Sequence, residues 1–267
     1  MESKENVVQD VEAVSKEESA PPLTFRRCMA FLALTCLLAI STAPIFFITG
    51  ALCMLLSNPS NLAYTVADIG GANSEAWLGI ANTLATAAIA PFAGSISDLV
   101  GRRWVAMIGA VFVLVGSFVV GFAHRMPVAI GGTTLIGVGG GLAELIAYSG
   151  MAELAPVKSR GLYIGTLTLI LIPFSGASAY GTILSKLTNL AQLYSASSSW
   201  RWGAWISLVF SGLAIFLTFF FYHPPPRENT LGLTKREIIA KIDFVGGFLV
   251  TSGFALFLLG LQWAGST

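Results

Sequence analysis

The sequence predicts an all-α integral membrane protein of seven spans, and three observations predict it. Hydrophobic residues make up 55% of the 267 residues and charged residues only 11%, with a mean hydropathy of +0.76. A soluble domain carries about 25% charged residues. Seven apolar segments recur along the chain, each close to or beyond the ~20 residues that cross a ~30 Å hydrocarbon core as a helix. Lysine and arginine gather at alternate turns, as they do where cytoplasmic loops hold the positive charge.

In chain order, residues 1–25 are polar, with Glu, Lys, Ser and Val and a closing Pro21-Pro22. Too few large apolar groups are present to offset the entropy of ordering, so a disordered cytoplasmic tail is expected. Its acidic residues, and the length of the apolar run that follows, argue against a cleavable signal peptide. The first span covers 28–56 and contains Pro44, which is expected to kink it. The loop 57–75 carries Asn58-Pro59 and Asp68-Ile69-Gly70-Gly71 and no Lys or Arg. Spans at 76–96 and 104–123 flank a short polar turn. The fourth is 128–154 and the fifth is 162–184, with Pro173 inside. The sixth is 203–222, stopped by Pro224-Pro225-Pro226. A polar, basic stretch then leads to a seventh span at 244–264. The domain reading is a tail at 1–25, a six-span bundle at 26–222, a cytoplasmic linker at 223–243 and the extra span at 244–264.

Arg26 and Arg27, Arg102 and Arg103, Lys158 and Arg160, and Arg227, Lys235, Arg236 and Lys241 fall on one side of this alternation. Arg125, Lys186 and Arg201 fall on the other. The N-terminus is therefore expected in the cytoplasm. Trp77, Trp104, Trp200, Trp202 and Trp263 lie near expected interfaces, as an aromatic belt would. A formal net charge of +1 gives no electrostatic case for a nucleic-acid partner. Cys28, Cys36 and Cys53 show no pairing or metal spacing, and His124 and His223 stand apart at segment edges. No metal, cofactor or enzyme chemistry is expected.

Four groups of residues carry candidate function. Gly94, Asp98, Gly101, Arg102 and Arg103 form the turn after the second span. Its glycines suit close backbone approach, and Asp98 at a helix C-terminus needs a cationic or hydrogen-bonding partner. Glu144 lies inside the fourth span, where a lipid-facing charge costs roughly 2.5–3.5 kcal/mol. It is expected to face the bundle interior, to be protonated or to be partnered. A group whose charge depends on the side it faces is what proton coupling needs; packing glue is the alternative. Tyr148 is four residues on, along the same face. Asn82, Thr83 and Thr86 place polar groups at helical spacing in the second span, and Gln262 does so in the seventh. Either they line a cavity or they hydrogen-bond neighbouring helices. Gly137-Val138-Gly139-Gly140-Gly141 lacks the lysine of a phosphate loop and reads as a close-packing groove.

The spacing Gly94-x-x-x-Asp98-x-x-Gly101-Arg102-Arg103 resembles the loop between the second and third helices of the major facilitator superfamily, with Leu99 departing from it. The resemblance implies a latch for one access state, in which Asp98, Arg102 and Glu153 cluster. It also implies a six-helix bundle built as two inverted three-helix repeats. Asp68-Ile69-Gly70-Gly71, Glu153-Leu154-Ala155-Pro156, Ser199-Trp200-Arg201-Trp202, Phe221-Tyr222-His223-Pro224-Pro225 and Asp243-Phe244-Val245-Gly246, in this order, resemble the fungal trichothecene efflux pump family, a fourteen-helix branch. That resemblance implies a chain equivalent to the N-terminal half only, with the second bundle absent. Its partners would be the lipid bilayer, a small-molecule substrate, protons and a missing C-terminal half. Drug–proton antiporters of the superfamily carry an arginine where this chain has Thr133. Their fifth-helix pattern is matched at Gly165, Pro173 and Gly176, but Ile172 replaces a glycine. The expected function is proton-coupled export of a hydrophobic or amphipathic, toxin- or drug-like compound, at the plasma membrane or alternatively the vacuolar membrane. Uptake of siderophore iron or another metabolite is one alternative. A truncated, non-transporting membrane protein acting as an interaction partner is another.

Overall fold

The computed structural model describes residues 25–44, 65–66, 68–74, 77–156, 159–169, 201–224 and 244–264. Among them are seven α-helices: α1 (Phe25–Pro44), α2 (Trp77–Val100), α3 (Arg102–Gly121), α4 (Met126–Leu154), α5 (Arg160–Leu169), α6 (Arg201–Phe221) and α7 (Phe244–Ala264). Five helical stretches are long and apolar enough to cross a membrane, at Phe25–Thr42, Ala72–Val100, Arg102–Gly121, Met126–Leu154 and Gly203–Phe221. Helices satisfy every interior backbone group within one segment, which hydrocarbon demands. The protein is a multi-pass integral membrane protein. The expected tail, the first span beyond Pro44, Pro173, Gly176 and most of the basic linker lie outside the described residues.

The turn between α2 and α3 is tighter than the sequence suggested. α2 continues to Val100 and α3 begins at Arg102, leaving Gly101 alone between them. Gly101 has φ 96°, a left-handed value that side chains disfavour. Its N–H donates to the Ser97 carbonyl at 3.0 Å, and its own carbonyl accepts from Val105 N–H at 3.1 Å. One residue thus ends one helix and starts the next. α4 opens after an extended Arg125, with Pro127 in its first turn, where the missing N–H costs nothing. It stops at an extended Ala155, the conformation favoured before a proline, here Pro156.

α4 is the centre of the bundle, and glycines let it be. On its α3 side the two backbones touch: a Cβ on Gly139 would lie 2.5 Å from the Gly109 carbonyl oxygen, and one on Gly116 would lie 2.8 Å from that of Gly132. Both pairs are seven residues apart in each helix, so α3 and α4 run antiparallel along a small-residue seam. On the α2 side, a Cβ on Gly137 would lie 2.9 Å from the Ala85 Cβ and one on Gly141 3.3 Å from the Thr86 Cα. Toward α1, a Cβ on Gly140 would lie 3.2 Å from the Ser41 carbonyl oxygen. Gly150 is covered by Leu34 and Tyr222. Small or apolar residues therefore surround α4 on every packed side, the pattern of a buried helix.

The outer surface reads the other way. α3 exposes Ile108, Val111, Val115, Phe118 and Phe122, while Val105, Gly109, Val113, Gly116 and Val120 are buried. An apolar exposed stripe has lipid as its solvent. α6 covers α3 by setting the Trp205 ring 3.3 Å from where a Cβ on Gly121 would lie, and edge-on to Phe122 at 5.1 Å. α7 rests on α2, where Gly247 receives the Phe92 ring.

Gly139→Ala should lower the stability of the detergent-purified protein by about 1–3 kcal/mol, the usual penalty for overpacking. Gly131→Ala, whose added methyl meets nothing within 4 Å, should leave it unchanged. Thermal unfolding of the two variants side by side checks this.

Candidate functional site

Two sets of functional candidates are positioned by α4, one at its C-terminal end and one along its length. At the C-terminal end the two arginines of the turn part company. Arg102 Nη1 donates to the Ser149 carbonyl at 3.2 Å and lies 2.5 Å from Glu153 Oε2. Arg103 Nη2 donates to the Phe219 carbonyl near the end of α6, and its guanidinium sits 5.3 Å from the Phe219 ring centroid. A cationic first turn is unfavourable for α3 taken alone, because a helix N-terminus is already positive. Here the same charges lie against the negative C-terminal ends of α4 and α6, which reverses the balance.

A cavity of about 440 Å³ opens beside the arginines and brings Asp98, Arg102, Arg103, Glu153 and His223 to one end of the bundle. Tyr222, just past α6, is 1% exposed and fills the space over Gly150. Burial pushes its phenol up to about 12; nearby Arg102 pulls the other way and Glu153 adds to the rise. The ring therefore stays neutral beside the ion pair. The alternation of basic turns places the ends of the fourth and sixth spans on this side, but it does not pair Ser149, Gly150, Phe219 or Tyr222 with their partners. The aromatic run before the three prolines marks Tyr222 as a helix stop, but nothing local says what it covers.

Of the turn glycines, Gly101 has a conformational role. A Cβ on Gly94 would meet nothing within 4 Å among the described residues. The same holds for Gly165 on α5.

Along the span, Asn82 Nδ2 donates to the Thr133 carbonyl at 3.2 Å and Thr86 Oγ1 to the Gly137 carbonyl at 3.0 Å. Both bonds run from α2 to α4 across the same 51-residue offset, so the helices run parallel and in register here. Both side chains thus make interhelical bonds to the α4 backbone. Thr133 is buried, and its hydroxyl donates to the Ile130 carbonyl at 2.9 Å.

Glu144 and Tyr148 are half-buried on α4. Glu144 is three residues from Gly141, which meets α2, and four from Gly140, which meets α1. Helical spacing therefore directs its Cβ into the stripe between those two helices. A second cavity, of about 330 Å³ and mostly apolar, lies between α1, α4 and α5, with Phe31, Met151 and Tyr163 in its wall. Among the described residues no cluster of His, Cys, Asp and Glu could hold a metal ion.

A multi-pass bundle with an arginine turn clasping neighbouring helix ends fits a transporter of the major facilitator type. Residues 28–267 match the model of the family described as fungal trichothecene efflux pump (TRI12), and the chain belongs to that family. It is 32% identical over 210 residues to the MFS-type transporter ucsD of Acremonium sp, covering 78% of this chain and 33% of that protein. It is 31% identical over 201 residues to the MFS-type transporter sphD of Aspergillus fumigatus, covering 75% of this chain and 33% of the relative. To the efflux pump dotC of Dothistroma septosporum it is 29% identical over 192 residues, covering 72% and 31%. The chain thus spans about a third of the length of these curated relatives. They are named as transporters and pumps, not as enzymes.

Arg102→Lys keeps the charge but shortens the reach of the donor that Ser149 and Glu153 share, which is Nη1. The expected cost is about 1 kcal/mol, since Glu153 is 36% exposed and partly screened. Chemical or thermal unfolding in detergent measures it; a lysine variant as stable as the parent would contradict this assignment.

Proposed function

We propose that this chain is the N-terminal six-helix bundle, with one further span, of a fourteen-helix transporter that exports a hydrophobic or amphipathic compound in exchange for protons. In this reading the bundle is built as two inverted three-helix repeats and faces a second six-helix bundle across a midplane cavity. The arginine turn lies in the cytoplasm, together with the N-terminal tail (1–25) and the linker (223–243). The membrane is the plasma membrane.

One observation carries the reading. Glu144 is a carboxylate well inside a membrane-length helix, ten residues from its C-terminal end, on the stripe between α1 and α2, next to glycines that bring those helices close. An ionisable group at that depth is costly unless it has work to do. Proton binding at Glu144 would remove its charge and change which side of the bundle it tolerates, coupling access to the gradient. Tyr148 would supply a hydroxyl one turn away. Asn82 and Thr86 would hold α2 in register behind the site. The Asp98, Arg102 and Glu153 group would act as the latch at the cytoplasmic end. The name of one relative, efflux pump dotC, supports the outward direction.

Cells expressing a version that carries both bundles should retain severalfold less of a lipophilic toxin or dye than control cells, and a protonophore should abolish the difference. Glu144→Gln should return retention to the control level with membrane abundance unchanged. Equal export by wild type and Glu144→Gln would remove Glu144 from the mechanism.

A further inference from the structure

The end of the bundle opposite the arginine turn has an arginine staple of its own. The stretch Asp68-Ile69-Gly70-Gly71 precedes α2 and folds back on itself. Gly70 and Gly71 adopt φ of 71° and 86°, left-handed values open to glycine and strained for most other residues. Gly70 N–H donates to the Val66 carbonyl at 2.9 Å, and Ser74 N–H donates to the Gly71 carbonyl at 2.8 Å. These two turns lay the Gly71 backbone on the first residue of α4: a Cβ there would be 2.8 Å from Met126 Cβ. Thr65, Ala123 and Met126 are all buried at this end.

Arg201, the first residue of α6, reaches across this segment. Its Nη1 lies 2.5 Å from Asp68 Oδ2, and its Nη2 donates to the Ala123 carbonyl at 3.0 Å, just beyond the end of α3. One guanidinium therefore joins the approach to α2, the end of α3 and the start of α6, beside the start of α4. Two acceptors at an angle suit the rigid fork of arginine and not the point charge of lysine.

We propose that Asp68–Gly71 is an ordered cap over this end of the bundle and that Arg201 is the residue that positions it, binding the ends of four helices into one unit. The proposal is independent of the substrate and of Glu144. It gives Asp68-Ile69-Gly70-Gly71 and the arginine between Trp200 and Trp202 a shared task.

Hydrogen exchange of the whole chain in lipid nanodiscs tests it, read at the peptide covering 68–74. Asp68→Arg and Arg201→Asp should each speed exchange there about tenfold while leaving the α3–α4 seam as protected as before. The double charge swap should recover most of the lost protection, short of the part owed to the Ala123 carbonyl, which an aspartate at 201 cannot bind. High salt should loosen the cap in the parent, where the ion pair is partly exposed, and have little effect in either single variant. Arg201→Lys should fall between parent and charge reversal. Exchange unchanged in the single variants, or a double swap no better than either, would overturn the proposal. If a single variant fails to accumulate as folded protein, recovery of folded protein by the double swap supports the staple, and its failure to recover counts against it. Gly71→Ala keeps both charges but pushes the segment off Met126. It should also speed exchange at 68–74, and unchanged exchange would contradict the cap.

Discussion

Backbone-to-backbone contact along α4 is the constraint on which the rest of this bundle depends. Lipid tails are as apolar as leucine side chains, so burying apolar surface between helices gains little in a membrane. What holds spans together is close packing and interhelical hydrogen bonding, and both need backbones near each other. Gly132 and Gly139 bring α3 in, Gly137 and Gly141 bring α2 in, and Gly140 receives α1. With α2 at that distance, the short side chains of Asn82 and Thr86 can reach the carbonyls of Thr133 and Gly137. A methyl group on Gly137 or Gly141 would push α2 away and break those bonds as well. The helix that carries Glu144 is therefore the one least free to shift.

Charge is placed where helix ends need it. Arg102 and Arg103 open α3 but lie against the last turns of α4 and α6, the negative ends of those helix dipoles. At the opposite end Arg201 binds Asp68 and the Ala123 carbonyl. Each end thus uses an arginine to bind a carboxylate and a backbone carbonyl together. Between them the spans are almost free of ionised groups. This division follows from solvent: water and headgroups can share the arginines at the ends, while hydrocarbon cannot. A bundle so tied would move as one body.

Much of this was legible in the sequence because it is local. Apolar length marks the spans, and a helix covers 244–264, where the seventh is expected. The glycine run at Gly137–Gly141 reads as a packing groove and is one. Helix ends were less legible. The turn after the second span looks several residues long in the sequence, yet Gly101 alone reverses the chain, because one left-handed residue suffices. Least legible were contacts between residues far apart. Arg103 on Phe219, Tyr222 on Gly150 and Arg201 on Asp68 each join segments that no periodicity links. Asn82 and Thr86 were ambiguous for a physical reason: a polar side chain at helical spacing serves a cavity or a neighbouring backbone equally well, and only the distance to α4 decides.

The packing of helices onto the glycine faces of α4 is tested most directly where α1 crosses it. A Cβ on Gly140 would lie 3.7 Å from the Ser41 Cβ, close to the ~3.8 Å spacing of a disulfide. With Cys28, Cys36 and Cys53 replaced by serine, the pair Ser41→Cys and Gly140→Cys should form an intrachain disulfide in native membranes under mild oxidation. Mass spectrometry of digested protein detects it, with Ser41→Cys and Gly131→Cys as the control. Rapid bonding of the first pair alone is the expected result. No bond at Ser41 and Gly140, or equal bonding of the control, would contradict the close packing of α1 against α4.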